Sequence, residues 1–176
     1  MGITIHYGFR VRSKDAAKHV VRVAKEYAMR LGMKIRRDEA LSLLVSPHPK
    51  SETISIDFRQ WKDVQAVTEW DYCREALQDV SKALHDNDYV SADFTKTQFA
   101  GFGIHVRVAE FLRIVASMCS LAFVGDEADY YETRDTEKAG SNFSESTEMM
   151  KKLAKQLKEI YGEKNVYSAI DYAEGG

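Results

Sequence analysis

A chain of 176 residues, 44% hydrophobic and 30% charged, has the profile of one globular domain and is too short to enclose two independent cores. Its formal net charge of −2 and its two prolines, Pro47 and Pro49, exclude a strongly polyionic chain and a proline-rich linker. The expected unit is therefore one domain over 1–176, frayed from about residue 171.

Ile3, Ile5, Tyr7, Phe9 and Val11 alternate with Thr4, His6, Gly8, Arg10 and Arg12, which predicts a half-buried strand at the start. That alternation also argues against a signal peptide, whose apolar stretch is continuous. Ser13 then caps a helix in which Val20, Val23, Ala24, Tyr27 and Leu31 recur at three- and four-residue steps, and Gly32 ends it. LSLLVS and TISIDF read as two short strands joined through SPHPKSE. Residues 70–86 return to helical spacing through Cys73, Leu77, Val80 and Leu84, with Thr68 and Asp71 as caps, and HDND ends that helix.

A strand over about 89–97 follows. From Phe102 to Phe123 the residues are almost all apolar except Glu110, Arg113, Ser117 and Ser120, which predicts a buried helix with one narrow polar stripe. DYYETRD alternates as a further strand. A last helix is expected from Asn142 or Ser144, with a seam of Met149 or Met150, Leu153, Leu157 and Tyr161, and it stops at Gly162. The sum is an α+β fold, a mixed but mainly antiparallel sheet with helices packed mainly on one face. Strand, long helix, strand occurs twice, over 3–45 and 90–133, as a ferredoxin-like duplication would have it.

The apolar window from Ile114 to Val124 contains two serines and falls far short of the roughly 20 residues of a spanning helix, so no membrane contact is expected. Cys73 and Cys119 lack CxxC spacing, and His6, His19, His48, His85 and His105 form no HxH or HExxH pair. Neither a metal nor another cofactor is expected, and the cytoplasm is the expected location. Residues 1–37 carry ten Lys or Arg against Asp15 and Glu26, which gives +8 and leaves −10 for the rest. Such asymmetry suits phosphates, or an acidic part of the same fold or oligomer. Nucleic acid is disfavoured, because Tyr7 and Phe9 lie on the core side of the first strand and leave no stacking platform there.

Two places could carry chemistry. In FTKTQFAGFGIHVRV, Thr95, Lys96 and Thr97 precede Gly101 and Gly103, and a helix N-terminus behind glycines is a site for an anion. The stretch is neither GxGxxG nor a P-loop, so a packing corner is the competing reading. His105 falls in the first turn of that helix at an apolar boundary, and as a base it would need an orienting carboxylate and an open pocket. The second place is the polar side of the sheet, where His6, Arg10 and Arg12 are expected beside Asp57, Ser91, Asp93, Thr95 and Thr97. Glu132 and Arg134 would join them if the DYYETRD strand turns that side outward.

TKTQFAG followed by a helix, with ITIHY before it and YYETRD after it, resembles small prokaryotic proteins that share a strand-turn-helix-strand ending. The resemblance spans about half the chain and implies no activity, so no catalytic residue is carried over. The expected function is that of a soluble domain binding a small anionic ligand or a protein partner, with self-association as one form of the latter. The alternative is an enzyme using His6 or His105 with a sheet-face carboxylate such as Asp93.

Overall fold

The computed structural model describes residues 3–64 and 84–161. Most of the helix expected over 70–86, together with the tail beyond 161, lies outside the described residues. The architecture is α+β, and among the described residues every strand pairing is antiparallel.

The first strand, β1 (Thr4–Val11), forms as its alternation predicts: Ile5, Tyr7, Phe9 and Val11 are all buried in the main core. Ser13 caps α1 (Lys14–Arg30) by accepting from the Ala16 N–H at 3.1 Å. A hairpin sheet follows, β2 (Lys34–Asp38), β3 (Ser42–Ser46) and β4 (Ile54–Asp57), in that spatial order. Next come β5 (Arg59–Gln60), the single turn α2 (Trp61–Val64) and, after the undescribed segment, β6 (Tyr89–Lys96). The chain continues through α3 (Phe102–Ser117), β7 (Leu121–Asp126), the short α4 (Tyr130–Thr133) and α5 (Thr136–Tyr161).

The expected single sheet is thus two, and the main one has the order β5-β6-β1-β7. Because β6 and β7 both run antiparallel to β1, β6-α3-β7 is a split β-α-β unit with β1 in its centre. The matching strand after α1 joins the other sheet, so the apparent duplication does not extend to the topology. Apolar residues of α1, α3, β3 and β4 share one core with the odd-numbered residues of β1.

Three expectations are corrected. The helix expected to reach Phe123 stops at Ser117, and Leu121–Asp126 pairs with β1 instead, Phe9 facing Ala122 and Ile5 facing Asp126. DYYETRD is no strand: Asp129 (φ 65°) and Arg134 (φ 55°) are left-handed and bracket one helical turn, which leaves Glu132 and Arg134 exposed and off the sheet. Finally, α5 begins six residues before Asn142, because Asp135 Oδ1 accepts from the N–H groups of Glu137 and Lys138 at 3.0 and 2.9 Å.

The two sheets are joined by side chains that satisfy the backbone of the segment around β4. The Tyr7 hydroxyl accepts from Ser55 N–H at 3.0 Å and donates to Ser55 C=O at 3.2 Å. Ser91 Oγ accepts from Asp57 N–H at 2.9 Å, and Thr95 Oγ1 donates to Glu52 C=O at 3.2 Å. Tyr7→Phe strips Ser55 of both bonds and should destabilise the fold by about 1–3 kcal/mol, read as a lower denaturant midpoint at unchanged slope.

Candidate functional site

Register decides which expected residues meet. Tyr7 faces Asp93 and Ile5 faces Thr95, whereas His6 faces Phe94 and Arg10 faces Val90. Directly opposed residues share a side of the sheet. The expected cluster is therefore split: Ser91, Asp93 and Thr95 lie with the apolar side of β1, while His6, Arg10 and Lys96 lie on the other. Asp57 belongs to the second sheet. The physical reason is the set of bonds to β4, which draws the polar side of β6 inward.

On the His6 side no catalytic pair forms with Asp93. His6 Nε2 stands 3.8 Å from Glu127 Oε1, and its ring lies 6.0 Å from that of Phe94. Arg10 is buried, with Nη1 3.6 Å from Asp88 Oδ2 and Nε donating to Ser120 Oγ at 3.3 Å, so its charge is committed inside the fold. Lys96 is shared with Glu52, whose carboxylate lies 3.9 Å from Nζ and accepts from the Lys96 N–H at 3.1 Å. Asp93 Oδ1 accepts from the Phe94 N–H at 2.8 Å. Burial, assisted by the nearby Glu52 charge, nonetheless raises its carboxyl above the usual range. A lysine already held beside the Glu52 carboxylate is a poor receptor for an anion.

FTKTQFAGFGIHVRV forms a corner with a polar knot beneath it. Thr97 N–H donates to Ile3 C=O at 3.1 Å, Ala100 N–H closes a turn on Thr97 C=O at 2.9 Å, and Gly101 starts α3 with φ 88° and ψ 159°. Non-glycine residues all but avoid that backbone region. Gly103 has an ordinary helical conformation, and a Cβ there would meet no neighbour within 4 Å. Gly101→Ala should therefore cost about 1–3 kcal/mol. Gly103→Ala should be neutral or stabilising by about 0.4–1 kcal/mol, both being read by chemical denaturation.

Beneath the corner, Thr97, His105 and Asp126 form a continuous chain. Thr97 Oγ1 lies 2.7 Å from His105 Nδ1, and His105 Nε2 lies 3.0 and 3.1 Å from the two oxygens of Asp126. The tautomer carrying its proton on Nε2 satisfies both ends, with the Thr97 hydroxyl donating to Nδ1. Asp126 also accepts from the N–H groups of Ala128 at 2.8 Å and Tyr131 at 2.9 Å. Burial alone would raise its carboxyl, but His105 and the two N–H groups outweigh that and hold it below the usual range.

The orienting carboxylate that His105 requires is thus present, and it is Asp126, not Asp93. The open pocket is not, because Thr97 and His105 have 0% exposure. Phe102 stacks on the imidazole at 6.2 Å and Phe143 of α5 covers it at 5.5 Å. Reading LAFVGD as a strand is what would have revealed Asp126, since alternation then puts it on the core side next to Ile5. A shallow hollow over the first turns of α5 is lined by Asp135, Glu137, Lys138, Ser141 and Asn142, none of them an expected site residue. Among the described residues no group of three or more His, Cys, Asp or Glu is placed to hold a metal, and no helix is long and apolar enough to cross a membrane.

No protein-family model matches the chain, and neither a curated protein nor a solved structure matches it.

A carboxyl held low in the fold adds stability above its unfolded pKa and loses it as the pH falls through the folded value. Wild-type stability should therefore drop on acidification below about pH 4, and Asp126→Asn, less stable at pH 7, should lose less over that interval. Parallel pH dependences of the two proteins in urea melts would show that folding does not lower the Asp126 carboxyl.

Proposed function

We propose that the protein is an interaction domain and that α5 is its docking element. One observation carries this reading: Met149 and Leu153, four residues apart on a 26-residue helix, are 59% and 44% exposed. Both belong to the seam expected to seat this helix in the core; Leu157 and Tyr161 of that seam lie outside the described side chains. The buried anchors are instead Ala139 and Phe143, near the start of α5. At about 100° per residue, Phe143 lies on a face about a quarter-turn from the Met149–Leu153 line. The helix therefore spends one face on its own fold and presents an adjacent apolar face outward. Apolar side chains at this spacing are what a helix offers to a groove or to another helix.

The two other expected readings have less support. An anion at the β6–α3 corner would compete with Glu52 for Lys96. Catalysis by His105 would need Phe102 and Phe143 to move aside.

The test places a photoreactive phenylalanine analogue at Leu153 of the full chain in the cells that express it. A covalent adduct at residue 153, its partner identified by mass spectrometry, is expected, and none is expected from the same probe at exposed Arg22 of α1. No adduct at residue 153, or equal adducts at both positions, would contradict the reading.

A further inference from the structure

The charges beside the exposed Met149–Leu153 line identify its partner. Taking about 100° per residue, Glu145, Glu148, Lys152 and Lys155 all fall along one flank of that line, acidic first and basic second. All four side chains are exposed. Glu148 pairs with Lys151 on its own helix at 2.8 Å, an exposed contact that yields at little cost.

A two-fold axis perpendicular to two facing helices brings the same flank of each together and reverses its order. Centred near Met150, it sets Glu145 opposite the partner's Lys155 and Glu148 opposite the partner's Lys152. The apolar lines meet between them. A parallel pair would instead oppose different flanks and leave these four charges without that match. Charge order along one flank thus selects orientation, as flanking charges do in helical pairs generally.

Resting on the reading of α5 as a docking helix, we infer that its partner is a second copy of this chain, paired antiparallel through Met149 and Leu153. Such an interface is isologous and closes at two subunits.

Sedimentation equilibrium of the purified full chain tests this. The mass should rise from 20.0 kDa to twice that value across micromolar concentrations, and Leu153→Gln should hold it at the monomer value with an unchanged circular dichroism spectrum. Glu145→Lys with Glu148→Lys makes these four positions uniformly basic, and Lys152→Glu with Lys155→Glu makes them uniformly acidic. Each double variant alone should be monomeric, and an equimolar mixture should recover the dimer. A monomeric wild type, or a dimer indifferent to both charge reversals, overturns the inference. If residue 153 is then photo-cross-linked to a different protein, the docking reading survives; if it is cross-linked to nothing, both fail.

Discussion

The buried chain from Thr97 through His105 to Asp126 is the constraint around which this half of the molecule is arranged. Its three members come from the end of β6, the first turn of α3 and the end of β7, so it fixes all three elements of the split β-α-β unit at one point. Asp126 extends the knot to the entry of α4 through Ala128 and Tyr131. Phe143 then lays the first turns of α5 over the imidazole. Each polar atom in this knot has a partner, which is the condition under which a buried polar network rigidifies a fold instead of weakening it.

This knot separates structure from function in the molecule. A hydroxyl, an imidazole and a carboxylate in series have the makings of a nucleophile relay, yet here each is consumed by the others beneath two phenylalanine rings. Arg10 with Asp88 and Tyr7 with Ser55 are likewise spent on the interior. In the basic first third, Lys18, Arg22 and Lys25 of α1 pair with Asp15, Glu26 and Asp38 of β2. On α5 the fold leaves Met149 and Leu153 turned outward, and the knot seats the start of that helix through Phe143.

The strand β1 and the helix α1 were legible because their signals are local: strict alternation, a serine cap and a stop at Gly32, whose φ of 71° suits glycine. The boundary between α3 and β7 was not, since a continuous apolar run has no period that distinguishes a buried helix from a buried strand. The tetrapeptide YYET alternates well enough for a strand, and only the left-handed residues on either side make it a helical turn. In β6 the polar positions were read correctly, but their direction depends on unpaired backbone in β4, which is distant in sequence. His105 was therefore found as a residue and missed as a site, because its carboxylate belonged to a strand hidden inside an expected helix.

The most direct test of the knot is 15N NMR of the His105 imidazole in the folded chain. The account predicts a protonated Nε2 with a slowly exchanging proton and an unprotonated Nδ1 shifted by the Thr97 hydrogen bond. Averaged shifts at the two nitrogens, with rapid exchange of the ring proton into solvent, would contradict it.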